Sequence, residues 1–222
     1  MRMRRRADTD KRLKDGEGVF IPTVDVEENV NLFIKEKEYF DFNKLFGNSN
    51  DVVVEVGCGQ GFFACEYAKA HKSINVMAIE RISNVIISGV ESAISQGIKN
   101  VRFLRTRAEC LPKYFPNNSV RKIFLNFSTP LPKKGYAKQR LTSDRYLKIY
   151  RDVLIENGEI EQKTDDLSFF EFSIESLKNN GFIIEEIIYD LHKTDKENIV
   201  TEYEKKFSQQ GLPIYYLRAK KA

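Results

Sequence analysis

The chain of 222 residues is poor in side chains that bind metals or form cross-links. It has two histidines, His71 and His192, and three cysteines, Cys58, Cys65 and Cys110. The cysteines form no Cys-x-x-Cys pair and their number is odd, so neither a disulfide framework nor a zinc site is indicated, and no metal is expected. No uninterrupted apolar stretch is long enough to span a bilayer, and no apolar signal core follows the arginine-rich N-terminus. The expected location is therefore the cytoplasm, with no membrane partner. Internal repeats and low-complexity segments are absent. Excess charge is also scarce: a net charge of +4 is too small to establish a nucleic-acid partner by itself.

The distribution of that charge says more. Basic residues gather at Arg2, Arg4, Arg5, Arg6, Lys11, Arg12 and Lys14, and again at Lys133, Lys134, Lys138 and Arg140. The first group belongs to residues 1–18, which read as a basic arm, either solvated or in contact with phosphates. Residues 19–222 read as a single domain of ordinary composition, 41% hydrophobic and 31% charged. The second basic group directly follows a hydrophobic strand, where open α/β sheets place their ligands.

After a leader with an acidic-aromatic helix around Val30 to Phe42, strand and helix signals alternate. Strands are expected at Val52–Val56, Ile74–Glu80, Val101–Thr106, Lys122–Phe127, Glu159–Thr164, Phe182–Tyr189 and Ile214–Ala219. Between them, a helix from about Gly61 to His71 sets Phe63 and Tyr67 on one face. Another repeats Ile82, Ile86, Val90 and Ile94 until Gly97 stops it. A third runs from about Thr142 to Ile155, ended by an Asn157-Gly158 turn, and a fourth carries Phe170, Ile174 and Leu177 to Gly181. Seven strands in this arrangement predict an α/β fold with a doubly wound, mostly parallel, Rossmann-like sheet.

The chemistry begins where the first strand ends. Val54-Glu55-Val56-Gly57-Cys58-Gly59-Gln60-Gly61 has the three alternate glycines that let a backbone turn tightly against a ligand before a helix starts. Glu80 ends the next strand about 20 residues later, where a carboxylate accepts hydrogen bonds from a ribose diol. A diphosphate would be repelled by Glu55, two residues before the first glycine, whereas an ammonium or sulfonium group would be attracted. S-adenosylmethionine carries both cations and an adenosine, so it is the expected cofactor; a ligand-free tight turn is the alternative.

Several blocks together resemble the bacterial tRNA (guanine-N7)-methyltransferases. They are Arg2-Met3-Arg4, Glu55-Val56-Gly57, Ile79-Glu80, Leu125-Asn126-Phe127-Ser128 with Pro130 and Pro132-Lys133-Lys134, Arg140-Leu141-Thr142, Lys163-Thr164-Asp165, Asp190-Leu191-His192, and Thr201-Glu202-Tyr203-Glu204-Lys205-Lys206-Phe207. They keep the family's order over nearly the whole chain. The resemblance implies the class I S-adenosylmethionine-dependent methyltransferase fold and methylation of N7 of a guanosine in the tRNA variable loop. It also implies that Glu55, Gly57, Gly59 and Glu80 bind the cofactor, and that Lys133, Asp165, Thr201, Glu202, Tyr203 and Glu204 contact tRNA or the target base. Bland alternatives stand beside these roles: Lys133 as an exposed lysine, Asp165 as a helix cap, and Thr201-x-x-Glu204 as a capping box.

The chain departs from the family around the reacting centre. The family's Asp-Pro-Trp-Pro run is Thr129-Pro130-Leu131-Pro132 here, so Thr129 occupies the position of a catalytic and cofactor-contacting aspartate. Arg107 occupies that of a second cofactor-contacting aspartate, with Glu109 two residues on, and Gly135-Tyr136 stands where the family has Arg-His. Guanine N7 carries an in-plane lone pair and needs no base, so turnover is chemically open without the acid, with Asp165 and Glu109 as available carboxylates. The alternative is a weak or inactive relative that binds tRNA or S-adenosylmethionine. A small-molecule methyltransferase is a third possibility, and the sequence leaves monomer or homodimer open.

Overall fold

The run Val52-Val53-Val54 is 4, 1 and 0% exposed, as expected of a β-branched parallel strand covered on both faces. The computed structural model describes residues 8–23 and 30–222, and the chain divides into two compact units, residues 1–114 and 115–222. The first contains α1 (Thr9–Lys14), β1 (Phe20–Ile21), α2 (Val30–Phe33), α3 (Phe42–Phe46), β2 (Asp51–Val56), α4 (Phe62–Ala70), β3 (Ile74–Ile79), α5 (Ser83–Ser95), β4 (Val101–Leu104) and α6 (Leu111–Tyr114).

Its four described strands are parallel and lie in the order β1-β4-β3-β2. β2 and β3 align from Asp51 against Ile74 to Val56 against Ile79, so Gly57 and Glu80 emerge level at the same edge. The four-residue stripe of α5 is buried at Ile86 and Val90, both 0% exposed, but its ends, Ile82 and Ile94, are 38% and 46% exposed. Gly97, at φ 64°, ends that helix as its N–H and that of Ile98 take up the free carbonyls of Ile94 and Ala93. Phe63 and Tyr67 share a face of α4, with ring centroids 5.6 Å apart.

The expected arm is partly described. Within it, α1 lies along α5: Arg12 donates to both carboxylate oxygens of Glu91 at 2.8 Å, Thr9 bonds Asn84, and Leu13 is buried. Arg2, Arg4, Arg5 and Arg6 lie outside the described residues. The leader helix expected over Val30–Phe42 is not continuous. α2 has four residues, and the chain then leaves the helix, donating from Glu38 and Phe40 to the carbonyls of Lys113 and Tyr114. Phe40 stacks on Tyr114 with centroids 5.3 Å apart, and this contact outweighs the weak helical signal.

The second unit contains β5 (Val120–Asn126), α7 (Asp144–Val153), β6 (Leu154–Thr164), α8 (Leu167–Asn179), β7 (Phe182–Ile188), α9 (Glu202–Ser208) and β8 (Tyr215–Lys221). Its strand order is β5-β6-β8-β7; β5 and β6 are parallel and β8 is antiparallel to both neighbours. The helix expected to reach Ile155 ends at Val153 and β6 begins at once. Asn157-Gly158 is therefore an irregularity inside the strand, where the register jumps from Val120 against Leu154 to Lys122 against Glu159. Ser119 donates to the Val153 carbonyl, which draws the chain into the sheet earlier than periodicity suggests. All seven expected strands are present, and β1, too short to leave a periodic signal, is an eighth among the described residues.

Candidate functional site

In the first unit, β2 delivers Glu55, 3% exposed, to the edge where the glycine loop begins. Gly57, Gly59 and Gly61 all have left-handed backbones, at φ 79, 55 and 76°. The N–H groups of Gly57 and Cys58 both donate to the Ile79 carbonyl, at 2.8 and 2.9 Å, which ties the loop to the end of β3. Gly59 donates to Glu80 Oε2 at 3.3 Å, while Glu80 Oε1 accepts from the N–H groups of Arg81 and Ile82 at 2.9 and 3.0 Å.

A Cβ on Gly61 would lie 2.6 Å from the Phe103 ring and 2.8 Å from Gly89 Cα, so that glycine serves packing. At Gly57 or Gly59 a Cβ would meet nothing within 4 Å, so the space above the loop is open. A buried carboxylate beside an open, tightly turned loop suits a cationic, adenosine-bearing ligand. Glu80 keeps acceptor capacity after three backbone bonds, since a carboxylate offers about four lone-pair sites. Cys58 lies in the same loop, but burial, reinforced by the charges of Glu55 and Glu80, pushes its thiol well above the usual range. That disfavours the thiolate, the reactive form of a cysteine. After β4, Arg107 is exposed ahead of the 3-10 turn Ala108–Cys110, and Glu109 is half-buried within that turn.

The second unit brings other predicted residues to the carboxyl ends of β5 and β6. Phe127, at φ 49°, donates its N–H to the Lys163 carbonyl at 2.8 Å and turns the chain out of β5. Thr129 and Lys133 beyond it are exposed. Of the second basic group, Lys134 and Lys138 are also exposed, but Arg140 is not: it is 7% exposed, its guanidinium lying over the ring of Phe172. Asp165 is half-buried after β6. The cap of α8 is its neighbour Asp166, whose carboxylate accepts from Phe169 N–H at 2.7 Å, so the capping alternative for Asp165 falls away.

Thr201 and Glu204 face inward. The Thr201 hydroxyl accepts from Glu204 N–H at 3.0 Å, and Glu204 Oε2 accepts from Thr201 N–H at 3.3 Å, a complete capping box. Glu204, 0% exposed, also binds Lys163 Nζ at 2.8 Å, His192 Nε2 at 3.1 Å and the Asn198 amide. Lys163 Nζ donates further to Asn198 Oδ1 and the Ile199 carbonyl, both at 2.9 Å. Tyr203 is the outward residue of the motif, 61% exposed. Its ring stacks near-parallel on Phe127, centroids 6.3 Å apart, and Phe127 stacks in turn on Phe207 at 6.1 Å. The side chain of Glu202 lies outside the described residues. Sequence reasoning missed this buried network; Lys163 and His192 sat within the quoted motifs, but nothing in spacing alone pointed them at Glu204.

Among the described residues no helix is long and apolar enough to cross a membrane, and no group of three or more His, Cys, Asp or Glu side chains could hold a metal ion. A family model described as "Putative methyltransferase" matches residues 49–217. The tRNA (guanine-N(7)-)-methyltransferase of Listeria monocytogenes serotype 4b is 41% identical over 198 residues, 88% of this chain and 92% of that protein. The enzyme of that name from Geobacillus sp. is 41% identical over 81% of this chain and 82% of its own length. Among solved structures, the 16S rRNA methyltransferase KamB superposes with a TM-score of 0.64 at 16% identity, over 84% of this chain and 95% of its own, a likeness of fold.

Proposed function

This chain belongs to the tRNA (guanine-N7)-methyltransferase family, and on that premise we propose how its residues divide the work. It has the class I S-adenosylmethionine-dependent methyltransferase fold and transfers a methyl group from S-adenosylmethionine to N7 of a tRNA guanine. The observation that carries the assignment of the donor site is the loop open above Gly57 and Gly59, with Glu55 buried beneath it and Glu80 bonded to Gly59. Glu55 attracts the cationic methionine end and Glu80 accepts from the ribose. The bound donor supplies a sulfonium methyl that an unprotonated ring nitrogen attacks directly.

No residue has to remove a proton, because N7 presents its lone pair in the plane of the base. The protein's contribution is alignment and desolvation, worth several kcal/mol when well executed. Positive charge moves onto the purine during transfer, and a carboxylate nearby favours that movement. Thr129 offers a hydrogen bond without charge. Asp165, freed of capping, is the second unit's candidate for this electrostatic role, and Glu109 the first unit's. Lys133 holds the tRNA backbone, and Tyr203, exposed on its stacked support, meets an unstacked base. Thr201 and Glu204 act through the position of α9, since both are buried. The target lies in the tRNA variable loop, and the reaction takes place in the cytoplasm.

The test is methyl transfer from labelled S-adenosylmethionine to tRNA lacking N7-methylguanosine, followed by cleavage specific for that base. Product at the variable-loop guanosine is expected, and Thr129→Asp is expected to raise kcat. A chain that binds the donor but forms no N7-methylguanosine, with or without Thr129→Asp, would refute the assignment.

A further inference from the structure

We propose that Arg140 is a positioning residue that sets the Thr129–Lys133 loop from within, an inference that rests on the roles given above to Thr129 and Lys133. Arg140 looks like part of the basic, RNA-facing group, yet it is 7% exposed and its Nε is buried with no hydrogen-bond partner among the described residues. Its guanidinium carbon lies 4.5 Å from the centroid of the Phe172 ring on α8, and its terminal NH2 group donates to the Leu131 carbonyl at 3.2 Å.

Leu131 is where the loop most needs holding. Its φ is 50°, a left-handed backbone that a branched residue rarely adopts, and it is followed by Pro132, which pushes the residue before it toward extended conformations of negative φ. The carbonyl held by Arg140 is thus that of the strained residue, two positions from Thr129 and two from Lys133. The strut has a firm base. Ser143 donates its N–H to the Arg140 carbonyl at 2.9 Å and its hydroxyl to the Lys138 carbonyl at 3.0 Å, fixing the backbone that bears the guanidinium. Only a flat cation can both lie on Phe172 and reach sideways to a carbonyl; lysine, a point charge on a flexible stem, cannot do both.

Arg140→Met and Phe172→Leu test this from the two ends of the strut. Both variants are expected to raise KM for tRNA and lower kcat, with kcat/KM down about 10- to 100-fold, the loss that misplacement by roughly 1 Å brings. They keep one donor-binding site per chain, and Arg140→Lys recovers only part of the loss. A purely structural defect would instead reduce donor stoichiometry and apparent kcat together, leaving KM unchanged. The salt dependence of tRNA binding separates positioning from direct contact. The slope of log Kd against log salt stays at the wild-type value for a strut, but drops by about one if Arg140 binds a phosphate. Unchanged KM and kcat in both variants, loss confined to stoichiometry, or a reduced slope each overturns the proposal. If the wild-type chain itself forms no N7-methylguanosine, the functional assignment fails instead. The strut is then decided by tRNA affinity, expected to fall about tenfold in both variants at unchanged slope.

Discussion

Glu204→Gln removes the carboxylate that Lys163 is bonded to, in a place where both partners are almost wholly buried: Lys163 is 5% and Glu204 0% exposed. Breaking a buried pair from one side costs about 3–5 kcal/mol, because the remaining charge is left uncompensated. Here the ammonium keeps two neutral acceptors at 2.9 Å, Asn198 Oδ1 and the Ile199 carbonyl, which lowers the expected loss to about 2–4 kcal/mol. In a chain of this size each kcal/mol moves the melting temperature by about 2–4 °C, so a loss near the middle of that range lowers it by about 6–12 °C. Circular dichroism melts and urea titrations read the change directly. Replacing both partners, Lys163→Met with Glu204→Leu, removes the charges together and is expected to be more stable than either single replacement. The reasoning fails if Glu204→Gln lies within about 0.5 kcal/mol of wild type, the ordinary scatter of surface substitutions, or if the double variant is as unstable as the two single losses added.

The glycine loop separates packing from ligand contact: Gly61→Ala forces a Cβ against Phe103 and should lower the urea midpoint sharply, whereas Gly59→Ala, with open space above it, should cost about 1–2 kcal/mol of backbone strain but weaken donor binding more, as calorimetry with S-adenosylmethionine would read. Burial raises the Glu159 carboxyl, but the hydrogen bonds and charges of Lys122 and Arg218 outweigh it and hold the group below its ordinary 4.5. Its folded value is depressed, so its contribution is present above pH 4.5 and lost as pH falls through the lower folded value; Glu159→Gln should flatten that part of a stability-against-pH curve. Exposed Lys133, Lys134 and Lys138 predict salt-sensitive tRNA binding, each replacement by alanine reducing the log–log slope by about one where it meets a phosphate; a slope unmoved by all three replacements would place the RNA surface elsewhere.

How much of this could be read from residue order depends on whether the determining contact was local. The glycine loop was legible because turning and helix entry are decided within eight residues, and the α5 stripe because its period matches the helix. The two-residue β1 was not, since its pairing with β4 depends on residues some 80 positions away. The leader helix failed for the same reason: the Phe40 stack on Tyr114 is invisible to a window centred on either ring. Capping boxes are local, and Thr201-x-x-Glu204 was readable as one; that Glu204 also serves Lys163, 41 positions back, was not. Arg140 shows the converse error. The rest of its basic group is solvated lysine, and its burial over the ring of Phe172 reveals that it belongs to the interior.

Because β8 lies between β6 and β7, Ala219 is held from both sides, by Ile160 and Ile184, and is 0% exposed. During synthesis the described strands of the first unit are complete by residue 104. The second unit differs. Its middle strand is the last to be made, and until then β6 and β7 each present an unpaired flank to the cell. A chain cut short just before β8 would therefore carry an open sheet in its second unit.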